Sequence, residues 1–287
     1  MSRKGLYREG RKMQATQATV SSGRLLLSLA AALTLAISGA PALAEDDPWP
    51  DIRRDVFDNR EILEEDGTIT LEAPYRAEDA AVVPLTMRMP ASIARNVKTL
   101  TLVIEKNPAP VAATFYFGEA AGAGERMLST RVRIDMYSNV RAVIETEDGK
   151  LHMTTKFVKA SGGCSAPAGK DMDEALASLG KLQIKTFASS ADRTPDTREA
   201  QVMIRHPNYT GMQMDQLTRE YTPAKFVQQL EVKRGGALVF RMDGGISISE
   251  NPHFRFTFGA AGDETLEVTA KDTDGRVFTA TSAGKAS

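Results

Sequence analysis

Cysteine is nearly absent from this chain of 287 residues, which contains only Cys164. A single cysteine excludes an internal disulfide, so the thiol is buried, paired with another molecule, or free for a chemical task. The sequence around it, SGGCSAPAG at residues 161–169, consists of small and loop-forming residues that offer little to bury a sulfur atom. We therefore predict an exposed, reactive thiol.

An excess of charge of one sign is also lacking, since 36 Lys and Arg residues face 37 Asp and Glu residues. No basic footprint indicates binding to nucleic acid or to an anionic lipid surface. The sequence contains no P-loop, no dinucleotide-binding glycine pattern and no Ser/His/Asp arrangement. We predict that the chain has no active site of its own, is not an enzyme and needs no cofactor.

Histidine is rare too, with three residues at positions 152, 206 and 253. His206, Met212, Met214 and Cys164 are the types of side chain that form a soft copper site. Nothing in their spacing fixes them as one ligand set, so no metal site is predicted. Delivery of copper or haem remains a third hypothesis for the function.

A long hydrophobic run without charge occurs once, at residues 25–37, and six basic residues precede it. The small residues Ala42-Leu43-Ala44 follow at the spacing of a cleavage site. This pattern predicts a cleavable export signal over residues 1–44, a periplasmic location and no membrane contact after cleavage. An uncleaved anchor is the alternative, because residues 25–44 are just long enough to span a bilayer. Gly39 and Pro41 favour cleavage.

Most of the remaining chain alternates apolar and polar residues with period two, which is typical of β-strands. In the first half, strands are predicted at 82–89, 97–104, 114–117 and 129–134, followed by a hairpin of 140–146 and 150–158 across an Asp-Gly turn. In the second half, strands are predicted at 200–205, 226–233, 237–242, 254–258, 264–271 and 276–281. Helical periodicity is confined to residues 49–66 and to residues 171–179, just after the cysteine.

These elements predict an all-β fold of two β-sandwich domains, with a short N-terminal helix and a short helix after the cysteine loop. The predicted boundaries are a signal peptide at 1–44, a first sandwich at 45–160, a cysteine arm with short helix and linker at 161–199, and a second sandwich at 200–287. The segments NPAPVAATFYFGEAAGAGE and NPHFRFTFGAAGDE support two related modules, because both lead from Asn-Pro through alternating aromatics into a Gly/Ala-rich turn. Chance reuse of common turn chemistry is the alternative.

Several motifs, in one order along the chain, resemble the SoxY and SoxZ families. Those similar to SoxY are Trp49-Pro50-Asp51-Ile52, Val83-Pro84-Leu85, Glu105-Lys106-Asn107-Pro108, Phe115-Tyr116-Phe117-Gly118, Ser129-Thr130-Arg131, the stretch 146–151 and Gly162-Gly163-Cys164. Those similar to SoxZ are Ile204-Arg205-His206-Pro207, Thr210-Gly211, Phe226-Val227-Gln228, Gly245-Ile246-Ser247, Asn251-Pro252 and Asp272-Thr273-Asp274-Gly275. The resemblance covers nearly all the mature chain and is greatest to the fused SoxYZ-like carrier associated with quinoprotein dehydrogenases.

This resemblance implies immunoglobulin-like sandwiches and a carrier of thiosulfate-oxidation intermediates. Cys164 would be the covalent attachment site, and Gly162 and Gly163 would form the carrier arm. Lys159 and Lys170 flank the site and would support the thiolate, although they are equally suited to solvating a loop. Unlike the free arm of the family, this one continues into Ser165-Ala166-Pro167.

The implied partners are Sox-type or quinoprotein dehydrogenase-linked periplasmic enzymes and a small sulfur-containing cargo. A lone thiol also leaves open a disulfide dimer through Cys164. The alternative function is a periplasmic adaptor or assembly factor for a quinoprotein dehydrogenase of the methanol type, with no covalent cargo. In that case Cys164 would be incidental.

Overall fold

The computed structural model describes residues 47–167, 177–187, 197–215, 218–260 and 265–282. The predicted signal at 1–44, Lys170 and nearly all of the helix predicted after the cysteine lie outside these residues. No helix in the described ranges combines the length and the apolar character that crossing a membrane requires.

Two short helices and fifteen strands make up the regular structure of the described residues. The helices are α1 (Trp49–Phe57) and α2 (Ala91–Ala94), and a 3-10 turn spans Glu119–Ala121. The strands up to the cysteine are β1 (Ile62–Glu64), β2 (Thr70–Glu72), β3 (Val83–Met89), β4 (Val97–Ile104), β5 (Val111–Phe117), β6 (Arg126–Val132), β7 (Ser138–Thr146) and β8 (Leu151–Val158). Those after it are β9 (Leu182–Phe187), β10 (Thr197–Ile204), β11 (Val227–Arg234), β12 (Ala237–Gly244), β13 (His253–Gly259), β14 (Leu266–Asp272) and β15 (Val277–Thr281).

The strands form two sheets. One has nine strands in the order β1-β8-β7-β4-β5-β12-β11-β14-β15, and the other has six in the order β2-β3-β6-β13-β10-β9. Apolar side chains from both sheets share one buried core that runs through the first and second halves of the chain. The predicted all-β class with a short N-terminal helix is confirmed.

The two halves have the same topology. Strands β2–β8 of the first module and β9–β15 of the second occupy equivalent places, each strand matching the one seven positions later. The modules meet through equivalent strands, because β5 pairs antiparallel with β12 and β6 with β13. This is the arrangement of a two-fold symmetric dimer, built here within one chain. The two quoted aromatic segments correspond to β5 and β13, which are not equivalent strands, so the modules are related through a different alignment.

Aromatic side chains fill the core at the junction of the modules, which we call the seam. Phe115 on β5 packs edge-on against Phe240 and Phe254, with ring centroids 5.9 and 6.1 Å apart. Phe240 also contacts Phe256 at 5.0 Å. Because Phe115 belongs to the first module and the other three to the second, core packing as well as backbone pairing joins the modules.

The N-terminal helix is shorter than predicted. It begins at Trp49 and ends at Phe57, because Asp58 and Asn59 adopt left-handed backbone conformations that stop it. Residues Ile62–Glu64 form β1 instead, which pairs parallel with β8. Trp49, Ile52 and Phe57 pack on the outer face of the nine-stranded sheet, whereas Val56 is exposed.

Candidate functional site

The segment that leads from β8 to the cysteine is hydrogen-bonded to the first module along its length. The Lys159 amide donates to the carbonyl of Tyr75 at 2.8 Å. The Gly162 amide donates to the carbonyl of Asp135 at 2.8 Å, and the Gly163 amide to that of Ile134 at 3.0 Å. We call residues 159–165 the cysteine loop. In this conformation it is docked on the sandwich and does not extend as an arm.

Glycine is required at each of the two positions before the cysteine for a different structural reason. Gly162 has a φ of +78°, a conformation that costs other residues conformational strain, and a Cβ there would meet nothing. At Gly163 a Cβ would lie 2.1 Å from the carbonyl oxygen of Ala80 and 2.7 Å from that of Ile134. Gly163 therefore allows the loop backbone to approach the first module more closely than any side chain permits.

The Cys164 side chain is fully buried, with an exposed fraction of 0%. The expectation of an exposed thiol on a flexible arm is wrong for this conformation. The thiol is buried in a loop whose backbone is hydrogen-bonded to both modules. While the loop stays docked, a second chain has no access to the sulfur, so a dimer through Cys164 remains a prediction.

Burial raises the pKa of the Cys164 thiol to about 12, and the nearby Asp135 carboxylate raises it further than the Arg133 guanidinium lowers it. The neutral thiol is thus the form that this site holds at neutral pH. Lys159 was expected to support the thiolate, but its ammonium group lies 4.8 Å from the ring centre of Tyr75. The cation that acts on the thiol is Arg133.

Arg133 and Asp135 are placed by the chain just after β6. The Arg133 amide donates to the Ser247 carbonyl at 2.7 Å, which fixes the backbone against the β12–β13 connection of the second module. Its side chain is 1% exposed, and Nη1 donates to the Gly163 carbonyl at 3.2 Å. The Asp135 amide donates to Asn107 Oδ1 at 2.8 Å, and its Oδ1 accepts from the Cys164 amide at 3.3 Å.

Sequence reasoning missed both residues. Arg131 is exposed and Val132 buried, so strand alternation predicts an exposed side chain at position 133. The strand ends at Val132, the alternation ends with it, and Arg133 turns inward. No pattern in the sequence marks this change.

The second module holds the other side of the cysteine loop. The Thr210 hydroxyl donates a hydrogen bond to the Cys164 carbonyl oxygen at 2.6 Å. Gln213 Oε1 accepts from the Thr210 amide at 2.8 Å and keeps the threonine in place. The buried thiol therefore lies where both modules contribute, in a site that neither forms alone.

Exposed apolar side chains border the cysteine loop. Tyr75, Met136, Tyr137 and Phe157 are each between 42% and 63% exposed. Tyr75 and Phe157 are neighbours, with ring centroids 6.3 Å apart, and Met136 and Tyr137 directly follow Asp135. We call these four residues the apolar border.

Family models match both modules. The model for the sulfur oxidation protein SoxY matches residues 53–164, and the model for the sulphur oxidation protein SoxZ matches residues 185–283. Together they cover most of the chain. The chain belongs to the SoxYZ family. It joins a SoxY module and a SoxZ module in tandem, and its kinship is with carrier proteins of sulfur oxidation. The SoxY match ends at Cys164 itself.

Solved structures similar to this chain include the sulfur carrier protein SoxY from Chlorobium limicola f thiosulfatophilum, at 24% identity over 39% of this chain and 91% of that one, with a TM-score of 0.32. A beta-glycosidase from Bacteroides vulgatus matches at 8% identity over 74% of this chain and 24% of that one, with a TM-score of 0.22. A comparison with curated proteins finds no match.

Each of the three histidines is at least partly buried within the fold. His152 Nδ1 lies 2.5 Å from Asp66 Oδ2. His206 is buried, with Nδ1 accepting from the Asn208 amide at 3.1 Å, and burial lowers its pKa. His253 lies on β13, where burial also lowers its pKa. In the part of the chain that the structure describes, no three His, Cys, Asp or Glu side chains gather into a metal-binding group.

Proposed function

We propose that this chain is a periplasmic, non-enzymatic carrier that holds a sulfur-oxidation intermediate covalently on Cys164 and presents it to partner enzymes. The observation that carries the proposal is the position of the only cysteine. It is the last residue of the SoxY match, and its backbone is held by the SoxZ module through Thr210. Both modules thus contribute to the loop, as expected if the two act together on one sulfur atom.

The docked loop is a resting state for this function. Only a thiolate attacks, and a buried thiol with a pKa of about 12 is neutral at pH 7. Loading therefore requires the loop to leave the sandwich. Five hydrogen bonds hold residues 162–164, from the Gly162, Gly163 and Cys164 amides, Arg133 Nη1 and the Thr210 hydroxyl. At about 1 kcal/mol each, breaking them costs roughly 5 kcal/mol, so about one molecule in five thousand is open without a partner.

A partner enzyme that binds the open loop would raise this fraction. The apolar border lies beside the loop and offers such an enzyme an exposed apolar surface to bind. Joining the Cys164 thiol to a second reduced sulfur forms one sulfur–sulfur bond and releases two electrons, together with the proton of the thiol. The partner must therefore be an oxidoreductase that carries an electron acceptor.

The test is intact-mass spectrometry of the protein isolated from its own cells grown on reduced sulfur compounds. We expect added masses of sulfur or sulfur–oxygen groups that a reductant removes and that are absent from the Cys164→Ser variant. Fractionation of the same cells measures the periplasmic location. A protein that carries no adduct on Cys164 under these conditions would contradict the carrier function.

One observation favours a second function. The buried, neutral thiol in a docked loop also suits an adaptor or assembly factor for a quinoprotein dehydrogenase, in which Cys164 only packs. Under that function, Cys164→Ser cells would grow on the dehydrogenase's substrate as well as wild type. Under the carrier function the same substitution abolishes sulfur oxidation, because no other thiol is present.

A further inference from the structure

We propose that Arg133 is a binding site for an anionic sulfur oxide at the end of the cargo on Cys164, occupied while the loaded loop is docked. This inference rests on the carrier function proposed above and names the chemical class of the cargo that the closed site accepts. The class is a sulfonate-type group, SO3⁻, joined to Cys164 through sulfur.

The first observation is that two donors of the Arg133 guanidinium are unused. Nη1 donates to the Gly163 carbonyl, the residue next to the cysteine, but Nε and Nη2 are buried without a hydrogen-bond partner. Glu250 and Asp79 attract the guanidinium electrostatically, and neither accepts a hydrogen bond from these two nitrogen atoms. Arg133 is the largest side chain in the described ranges that is fully buried.

Such an arrangement is costly unless an anion completes it. A buried cation is ordinarily paired, and buried N–H groups are ordinarily hydrogen-bonded. The cysteine does not supply the missing charge, because its thiol is held in the neutral form. A guanidinium presents its donors in a fixed fork that suits the oxygen atoms of an oxyanion. The two free donors are thus without an acceptor in the unloaded protein, and the oxygen atoms of an SO3⁻ group supply one.

The other charge next to the cysteine gives the site a direction. Asp135 lies close enough to raise the pKa of the thiol, and its Oδ1 accepts from the Cys164 amide. Asp135 repels an anionic cargo and Arg133 attracts it, so the charged end of the cargo is favoured next to the guanidinium. A neutral cargo of the same size experiences neither force, so the site distinguishes cargo by charge.

Two reagents load Cys164 with a matched pair of adducts. With tetrathionate, the thiolate attacks a central sulfur, one S–S bond forms and another breaks, and thiosulfate leaves with the electron pair to give Cys164–S–S–SO3⁻. With methyl methanethiosulfonate, the thiolate displaces methanesulfinate and gives Cys164–S–S–CH3. Both adducts are disulfides and differ in the terminal charged group. Neither reaction needs an added oxidant, because each reagent is itself the oxidised partner.

The measurement is the rate at which a phosphine reductant removes each adduct from the folded protein, divided by the rate for the same adduct on a peptide of residues 159–171. We expect the docked wild type to protect the anionic adduct about ten-fold more than the methyl adduct. Arg133→Gln is expected to reduce this preference to less than about two-fold, and Arg133→Lys to leave an intermediate value, because a lysine keeps the charge without the fork.

Equal protection of the two adducts in the wild type would overturn the inference, and so would a preference that survives in folded Arg133→Gln. The comparison within the wild type decides the question even if that variant does not fold. Either of these two outcomes would overturn only the role of Arg133 and not the carrier function, because the adducts on Cys164 would have formed. Failure of either reagent to modify Cys164, after an incubation long enough for the small open fraction to react completely, would instead overturn the carrier function together with the inference.

Discussion

Two opposite charges act on the Cys164 thiol. The Asp135 carboxylate raises the thiol's pKa and the Arg133 guanidinium lowers it, while burial has the largest effect and sets the pKa at about 12. The residue is therefore stored as a neutral, buried thiol, the form that oxidants attack least. Reactivity at this position is a property of the loop's conformation and not of the sulfur alone.

The stability of the fold is expected to fall above about pH 9 because of this one thiol. In the unfolded chain the thiol ionises near its usual pKa of 9.0, and in the folded chain only near about 12. Between these pH values the unfolded state loses its proton first, so it is favoured by at most about 1.4 kcal/mol for each pH unit. Below pH 9 the two states bind the proton equally and the effect is absent.

Urea unfolding of the wild type and of Cys164→Ser, between about pH 8 and about pH 10.5, measures this effect. Lysine and tyrosine residues titrate in both proteins, so the difference between their free energies of unfolding isolates the cysteine. We expect the wild type to lose stability faster than the variant as the pH rises. A difference that stays constant across this range would mean that the thiol is exposed in solution.

At the scale of the element, the cysteine loop is fixed by backbone contacts that only glycine allows. Gly163 lies against the carbonyl groups of Ala80 and Ile134, whereas Gly162 only provides a positive φ. The two glycines are equally suited to a flexible arm by sequence. In the structure they are distinguishable, and this gives a matched pair of variants.

Gly163→Ala is expected to prevent docking, because its Cβ would lie 2.1 Å from the Ala80 oxygen. Cys164 should then react with iodoacetamide at least about ten-fold faster than in wild type, since each 1.4 kcal/mol of lost docking energy gives a factor of ten. Gly162→Ala is the control: it introduces backbone strain of about 1 kcal/mol without a clash, and a smaller increase is expected. Folding of both variants is checked by the fluorescence of Trp49. Slow labelling in folded Gly163→Ala would show that the loop docks differently.

The sequence predicts the long strands well and the short ones poorly. The strand β14 alternates buried and exposed residues over its whole length, and the β7–β8 hairpin turns at Gly149 with a φ of +79°, as its Asp-Gly pair indicates. The strands β1 and β2 have three residues each, too few for a period to be recognised. The strand β9 was missed as well, although it has six residues, and none of them is fully buried.

The sequence indicates the central residue of the candidate site but not the residues that surround it. Cys164 is unique in the sequence, and its motif resembles one family. Its neighbours Asp135 and Thr210 lie 29 and 46 residues away along the chain. The composition around the cysteine predicts an exposed thiol only on the assumption that the loop's own residues would have to bury it. Here the loop is docked against residues that are distant along the chain, and local sequence does not encode such contacts.

At the scale of the whole molecule, the two modules are equivalent in topology and joined through equivalent strands. Each sheet crosses the seam without interruption, through β5–β12 in one and β6–β13 in the other. The cysteine loop adds a third connection, because Thr210 of the second module holds it. Fusion into one chain keeps the two modules at a fixed ratio, so that both sides of the Cys164 site are always present together.

This continuity predicts that the modules unfold together, and Trp49 allows a direct test. It is the only tryptophan and lies on α1 of the first module, so its fluorescence reports on that module alone. Leu230 lies on β11 of the second module and is fully buried. Leu230→Ala should lower the free energy of unfolding by about 2 to 5 kcal/mol, because it leaves a cavity in the core.

In a single cooperative unit, the unfolding midpoint followed by Trp49 fluorescence shifts by the same amount as the midpoint followed by far-UV circular dichroism. Leu102→Ala on β4 is the matched control, since this buried leucine lies in the first module and must shift the Trp49 signal in either case. If Leu230→Ala left the Trp49 midpoint at its wild-type value while the dichroism split into two transitions, the modules would be independent. The seam would then not connect them energetically, and the Cys164 site would lose its second wall whenever the SoxZ module opened by itself.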